Sequence, residues 1–128
     1  MIYLDSSVAL AQLFAENRAP PDKLTASPLV SSRLFEYEVW NRVHARGLTA
    51  THGGLVHTLL TRIILIDLSP AVLSRALRSF PVAVRTPDGL HLATIDYLRM
   101  RGEEIELASY DRSLIACAQA LGIAVYAL

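Results

Sequence analysis

The alternation of short apolar runs with longer amphipathic segments is the feature that most constrains how this chain can fold. Five runs rich in Ile, Val and Leu predict brief strands, namely IYL, PLV, IILIDL, IELAS and IAVYAL. Most of them lack polar alternation, which is typical of strands that are buried on both faces. Because helical segments separate these strands, the pattern predicts right-handed crossovers and a parallel sheet covered on both sides.

Capping signals bound the predicted helices. The helical segments are SSVALAQLFAE, SRLFEYEVWNRVHARG, THGGLVHTLLTR, SPAVLSRALRSF, TPDGLHLATIDYLRMRG and DRSLIACAQALG. Gly47, Gly102 and Gly122 predict helix ends, while Ser69 and Thr86, each followed by proline, predict N-caps. The stretch ENRAPPDKLTASP is the one loop-like break. The length of 128 residues and the absence of repeats predict a single domain over residues 1–128.

Composition excludes several classes of protein. Cys117 is the only cysteine, so the chain can form neither an internal disulfide nor a thiolate metal site. The sequence has no charged leader and no long apolar run, so we expect a cytoplasmic protein without a membrane span. Acidic and basic residues balance at twelve each, so no global field attracts a polyanion. Hydrophobic residues make up 52% of the chain, which indicates that a partner covers some apolar surface.

Acidic residues cluster where the predicted strands end. Ligands of open parallel sheets bind beyond the carboxyl ends of the strands. Asp5 directly follows IYL, and Asp111 closely follows IELAS. Asp88, in the first turn of its helix, reaches the same edge if the preceding loop folds over the sheet. Glu38 lies inside a helix, where the 3.6-residue period places it with Leu34 on a partly buried face.

Each of these acids also has a purely structural explanation. Asp5 and Asp111 both stand where a helix N-cap is expected. Asp88 suits the positive end of a helix dipole, which favours a carboxylate by about 0.3–1 kcal/mol. Glu38 precedes Arg42 by four residues, in the orientation that stabilises helices by about 0.2–0.5 kcal/mol.

Two neighbours of Asp88 are weaker candidates. His91 lies one turn further along the helix, where a lone histidine is more often packed and hydrogen-bonded than bound to a metal. Asp96 lies about 80° from Asp88 on a helical wheel, so we place it at the rim of any site.

Four segments in order carry a more specific pattern. MIYLDSSVAL combines a hydrophobic strand, an aspartate, a small hydroxyl residue and an apolar helix, and SSRLFEYEVW contains Ser-Arg-Leu-x-x-x-Glu, ending on Glu38. RTPDGLHLATIDYL contains Asp-x-x-His-Leu-Ala-Thr, beginning at Asp88, and IELASYDRSLIACAQALGIAV supplies a closing strand, aspartate and helix. Together they span nearly the whole chain and resemble the PIN-domain family, most closely the VapC-type toxins of prokaryotic toxin–antitoxin pairs.

The resemblance implies a fold, an activity and partners. The fold is a PIN-like three-layer α/β sandwich with a central, mainly parallel sheet of four to five strands covered by helices. The activity is that of an endoribonuclease dependent on Mg²⁺ or Mn²⁺, the toxin of a type II pair. The implied partners are an RNA substrate, a small antitoxin that blocks the acidic site with an arginine or a helix in a groove, and a second copy in a homodimer.

The resemblance also implies roles for six side chains. Hard divalent ions prefer carboxylate oxygens, and Mg²⁺ takes only one or two directly while keeping several waters. We therefore expect Asp5 and Asp88 to be direct ligands, while Asp111 and Glu38 hold metal-bound waters or a second ion. We expect the hydroxyls of Ser6 and Ser109 to support those waters.

Two other functions remain open at this point. One is a receiver-like or phosphatase-like domain that binds Mg²⁺ at the same sheet edge, although receivers carry a lysine near the final strand and Lys23 is the only lysine here. The other is a catalytically silent interaction module whose acids only cap helices. The chain has no glycine-rich phosphate loop that would indicate a nucleotide-binding site.

Overall fold

A parallel sheet lies at the centre of the computed structural model, which describes residues 1–15 and 21–128. Among the described residues its strands are β1 (Ile2–Leu4), β2 (Leu29–Ser32), β3 (Ile63–Ile66), β4 (Glu106–Ala108) and β5 (Ala124–Val125). They pair in the order β3-β2-β1-β4-β5, and every pairing is parallel. The predicted sheet is therefore confirmed, with five strands.

Helices cover both faces of the sheet. They are α1 (Ser6–Leu13), α2 (Arg33–Ala45), α3 (Thr49–Leu60), α4 (Pro70–Ala76), α5 (Thr86–Met100) and α6 (Arg112–Ala120). One core cluster joins the sheet to α1, α2 and α3, and a second joins it to α5 and α6, with α4 packed on α5. Cys117 is buried in the second cluster, as expected of a small core residue. None of the described helices is long and apolar enough to cross a membrane.

The predicted helix starts are partly right. Ser69 caps α4, because its hydroxyl accepts a hydrogen bond from the Val72 backbone N–H at 3.3 Å. The prediction that Thr86 caps α5 is wrong, since Arg85 is the N-cap and Thr86 is already helical. Pro87 therefore occupies the second helical position, where its missing N–H has no partner to lose.

The loop-like break lies partly outside the described residues, which resume at 21. Positions 16–20 of that stretch, and the predicted end of the first helix at 16, cannot be compared with the structure. Within the described part of the stretch, Asp22–Ala26 form a short 3₁₀ helix that the sequence reasoning missed.

Strand order places a switch point beside β1. The chain builds β1, β2 and β3 towards one side of the sheet and then adds β4 and β5 on the other side of β1. Leu4 of β1 is in register with Ala108 of β4, so Asp5 and Ser109 leave the sheet side by side. The backbone N–H of Asp5 donates to the Ala108 carbonyl at 3.0 Å. Such switch points are where open α/β sheets bind ligands.

Gly54 offers a test of the helical fold away from the switch point. It lies inside α3, is exposed, and an added Cβ would meet no atom within 4 Å. Gly54→Ala should therefore raise the free energy of unfolding by about 1 kcal/mol, the usual difference between these residues in a helix. Urea unfolding measures this difference. The control is Gly122→Ala, which should lower stability because φ at Gly122 is +71°. An unchanged or lower stability for Gly54→Ala would contradict the assignment of α3.

Candidate active site

All four predicted carboxylates line one cavity at the carboxyl edge of the sheet. The cavity has a volume of about 400 Å³. Asp5 enters from the end of β1, Asp111 from the segment after β4, Asp88 from α5 and Glu38 from α2. The juxtaposition predicted from the strand ends is therefore present. Asp88 was expected at this edge only if the loop before its helix folds over the sheet, and its helix does begin at this edge.

Asp5 is held by hydroxyl groups on both sides of the switch point. It is buried and forms the N-cap of α1. Its Oδ2 accepts hydrogen bonds from the hydroxyls of Ser7 at 2.6 Å and Ser109 at 2.8 Å. Ser109 thus contacts the acidic site directly. Ser6 also lines the cavity, but the hydroxyl that bonds Asp5 belongs to Ser7. The capping rule points to Ser7, because an N-cap side chain bonds the second or third helical residue.

Asp111 both caps a helix and faces the cavity. Its Oδ1 accepts from the backbone N–H groups of Ser113 at 2.9 Å and Leu114 at 3.2 Å, so it is the N-cap of α6. Its own backbone N–H donates to the Ser109 hydroxyl at 2.9 Å. Ser109 therefore bridges Asp5 and Asp111. The structural explanation for Asp111 is correct, and it is compatible with a place in the site.

Asp88 is a buried acid, and one of its oxygens has no hydrogen-bond partner among the described residues. The residue is 5% exposed, and its Oδ2 is buried without a hydrogen-bond partner among the described residues. The closest cation is the Nε of Arg85 at 3.9 Å. Burial raises the pKa of Asp88 above its usual value, and the charges of Asp111 and Asp5 raise it further. A buried carboxylate oxygen without a partner is unfavourable, and a bound cation would compensate it.

Glu38 is bonded to His91 rather than to Arg42. The Glu38 side chain is 26% exposed, and its Oε1 lies 2.6 Å from His91 Nε2. His91 is 1% exposed, and its Nδ1 lies 2.7 Å from the Tyr3 hydroxyl. Burial alone lowers the pKa of His91, but the hydrogen bond to Glu38 and the charges of Glu38, Asp5 and Asp88 raise it overall.

Two of the predicted acids and His91, which the sequence analysis ranked as a weaker candidate, bring possible metal-ligand atoms near one another. One atom each from Asp5, Glu38 and His91 lies within 4.8 Å of the others. The expectation that His91 is packed and hydrogen-bonded is confirmed. Its Nε2 proton also faces Glu38, because a carboxylate can only accept a hydrogen bond.

Asp96 belongs to a separate ion-pair cluster. It bonds Arg75 Nε at 2.8 Å and Arg99 at 3.3 Å, which ties α5 to α4. It is absent from the cavity lining, so its possible place at the rim is not supported.

Three arginines also line the cavity, and the sequence analysis named only Arg42 among them, as a helix partner of Glu38. Arg42 and Arg46 follow Glu38 on α2, and Arg85 precedes α5. The Arg46 guanidinium lies over the Phe14 ring, 4.2 Å from its centroid. Arg42 and Arg46 could have been found from their spacing, because residues four and eight positions after Glu38 lie on the same face of a helix.

The donor set fits a hard divalent cation. Carboxylate oxygens are the ligands that Mg²⁺ and Mn²⁺ prefer, and the buried Asp88 Oδ2 has no competing hydrogen bond among the described residues. The hydroxyls of Ser7 and Ser109 orient Asp5 in the way that outer groups orient metal ligands.

Comparison with known proteins extends these observations. No protein-family model matches the chain. Ribonuclease VapC46 from Mycobacterium tuberculosis is 36% identical over 130 residues, which cover 98% of this chain and 96% of that protein.

Solved structures agree in fold. A toxin-antitoxin complex from Klebsiella pneumoniae contains a chain with a TM-score of 0.68 and 18% identity, covering 91% of each chain. Mycobacterium tuberculosis VapC20, a toxin that cleaves the sarcin-ricin loop, gives a TM-score of 0.63 and 18% identity, covering 91% of this chain and 94% of its own. The architecture is thus PIN-like, and with a relative matched over nearly its full length the chain belongs to the VapC ribonuclease family.

Proposed function

We propose that this chain is a metal-dependent endoribonuclease and the toxin of a type II toxin–antitoxin pair, with residues 1–128 forming one nuclease domain. The observation that carries the proposal is the meeting of Asp5, Glu38, Asp88 and Asp111 around one cavity, where the buried Asp88 Oδ2 has no hydrogen-bond partner among the residues that the structure describes. Helix capping explains Asp5 and Asp111 but not a buried carboxylate oxygen that lacks a hydrogen bond.

The four carboxylates are the proposed metal ligands. Asp5 and Asp88 are the proposed direct ligands, while Asp111 and Glu38 hold waters of the ion or a second ion. Bound Mg²⁺ or Mn²⁺ would supply an activated water and would neutralise charge on the phosphodiester that is cut. Asp5 is oriented for this role by Ser7 and Ser109, and Glu38 by His91.

The arginines at the cavity are the proposed contacts for RNA phosphates. Arg42, Arg46 and Arg85 place positive charge beside an acidic site in a chain without net charge. Guanidinium groups bind phosphate oxygens in a bidentate way. They would therefore hold the RNA backbone against the carboxylates without reading its sequence.

Glu38→Gln tests the enzymatic proposal most directly. Glutamine keeps the size of the side chain and an oxygen that can accept from His91, but it lacks the charge that binds a cation. We expect RNA cleavage in Mn²⁺ to fall by roughly a hundred-fold, with the melting temperature close to that of the wild type. A fluorogenic RNA assay measures the rate.

The matched control is Glu36→Gln, two residues earlier on α2. Glu36 pairs with Arg33 at 3.0 Å and does not line the cavity, so its loss should leave cleavage unchanged. Full activity in Glu38→Gln would remove Glu38 from the site. Absence of RNA cleavage by the wild type would contradict the proposal. In that case, hydrolysis of phosphomonoesters would favour a phosphatase-like domain, and the absence of any hydrolysis would favour an interaction module.

Asp88 generates a prediction about pH. Because its pKa is raised in the folded state, the native protein binds this proton more tightly than the unfolded chain does. Without metal, its contribution to stability therefore falls as pH rises from its ordinary pKa through the raised one. At neutral pH in EDTA, Asp88→Asn should melt above the wild type, and the difference should vanish at acid pH.

Mn²⁺ should reverse this order. A cation that binds only the folded state stabilises the wild type more than a variant lacking one ligand. The control is Asp22→Asn, which makes the same charge change at an exposed position outside the cavity. Equal melting temperatures of Asp88→Asn and wild type in EDTA at pH 7 would show that Asp88 carries no uncompensated charge.

Proposed partners account for exposed apolar side chains. Leu77 is 88% exposed at the end of α4, and Leu73 and Met100 are exposed on the same helix pair. We propose that this surface joins two copies in a homodimer. We also propose a small antitoxin that places an arginine among the carboxylates, since a guanidinium suits an acidic cavity.

Mass measurement by light scattering tests both partners. Purified alone, the chain should have twice its monomer mass, and co-expression with the product of the adjacent gene should add mass and suppress RNA cleavage. Leu77→Glu should yield monomers that still capture the partner. The control is Ile64→Glu, which changes an exposed side chain on β3 and should stay dimeric. A monomeric wild type would contradict the homodimer, and unaffected cleavage would contradict the antitoxin.

A further inference from the structure

Glu38 is positioned differently from the other three carboxylates. Asp5 and Asp111 are N-caps, held by backbone N–H groups, and Asp88 lies in the first turn of α5. Glu38 is instead the sixth residue of α2, where backbone N–H groups already bond within the helix. Its orientation must therefore come from another side chain.

His91 supplies the contact that holds Glu38. Its Nε2 donates to Glu38 Oε1 at 2.6 Å, and hydrogen bonds to an ionised carboxylate are stronger than bonds between neutral groups. This bond uses one lone pair of Oε1 and restricts the rotation of the carboxylate, while Oε2 keeps both of its lone pairs.

Tyr3 fixes the other edge of the imidazole. The Tyr3 hydroxyl and His91 Nδ1 are 2.7 Å apart, and the two rings meet edge to face at 81°. Ser31 and Thr94 are further hydrogen-bonding neighbours of this hydroxyl, and each also donates to a backbone carbonyl. Both ring nitrogens of His91 are thus engaged, so the imidazole cannot rotate without breaking a buried bond.

This polar pair is buried in the core. Tyr3 is fully buried and His91 is 1% exposed. Replacing two bonded polar side chains by apolar ones of similar shape can be nearly neutral or stabilising, so stability does not require a polar pair at this place. The pair instead joins β1 to α5 and α5 to α2, the elements that carry Asp5, Asp88 and Glu38.

We propose that Tyr3 and His91 are positioning residues that lock Glu38 in the orientation in which it binds a divalent cation. The inference rests on the proposed function only in taking Glu38 as a metal-binding group. His91 acts through Glu38 and does not itself bind the metal, because its Nε2 carries the proton of the bond to Glu38.

The paired variant Tyr3→Phe/His91→Leu separates positioning from stability. It makes the core apolar while leaving all four carboxylates in place, and Glu38 remains open to solvent. We expect a melting temperature equal to or above that of the wild type in EDTA. We expect Mn²⁺ affinity, measured by isothermal titration calorimetry, to fall by about 10- to 100-fold, the usual effect of losing a group that orients a ligand. RNA cleavage should fall with it.

Two single variants test the same proposal if the paired variant does not fold. His91→Gln keeps a long side chain with an N–H that reaches Glu38, while His91→Asn is too short to reach it. We expect near wild-type Mn²⁺ affinity for His91→Gln and the full loss for His91→Asn. Ile95→Val, a conservative change in the same buried stretch of α5, controls for general loosening of the core and should bind Mn²⁺ as the wild type does.

A double-mutant cycle shows whether His91 acts through Glu38. In a Glu38→Ala background, His91→Asn should cause no further loss of Mn²⁺ affinity. An undiminished loss in that background would overturn the proposal and make His91 an independent ligand. Equal affinities of the Asn and Gln variants, or wild-type affinity in the paired variant, would also overturn it.

The same data separate this inference from the proposed function. If the wild type binds Mn²⁺ without cutting RNA, the nuclease proposal fails while the binding cycle still decides the role of His91. If the wild type cuts RNA and the His91 variants bind Mn²⁺ normally, only the positioning role fails.

Discussion

Repulsion among carboxylates around one cavity is the constraint on which the rest of this structure depends. Two of the four acids, Asp5 and Asp88, are buried, and like charges around one cavity destabilise one another unless a group of opposite charge is near. The fold meets this constraint with helix ends. α1, α5 and α6 all begin at the cavity, and each N-terminus favours a nearby carboxylate by about 0.3–1 kcal/mol. Parallel topology makes this convergence possible, because each crossover helix begins where a strand or its loop reaches the same edge.

Glu38 is the one acid of the four that does not lie at a helix N-terminus, so a different group holds its side chain. It projects from the middle of α2 and gains its fixed partner from α5 instead. His91 serves two purposes there, since it brings a hydrogen-bond donor to Glu38 and a polar link through the core to Tyr3. Asp88 has no equivalent donor in the described part of the chain, where its buried Oδ2 lacks a hydrogen-bond partner.

The sequence allowed the sheet and the meeting of the acids to be predicted, but not how each acid is held. Strand ends can be read from apolar runs, so Asp5 and Asp111 could be placed at one edge. The bond from His91 to Glu38 joins positions 53 residues apart, and no local periodicity records such a contact. Ser6 was expected to support metal-bound waters, and the contribution of the neighbouring Ser7, whose hydroxyl bonds Asp5, was missed. Thr86 was mistaken for a cap because its proline is tolerated at the second helical position as well as the first.

Capping and metal binding were treated as competing explanations of Asp111, yet the same carboxylate caps α6 and lines the cavity. Oδ1 accepts the N–H groups of Ser113 and Leu114, so the cap bonds do not use Oδ2. The same division applies to Asp5, where Oδ2 takes the serine hydroxyls and Oδ1 remains. A cap bond limits the rotation of a carboxylate, as the bond from His91 limits the rotation of Glu38. Capping a helix and lining the cavity are therefore compatible, and an N-cap pattern in the sequence also marks a candidate site residue where several such helix ends converge.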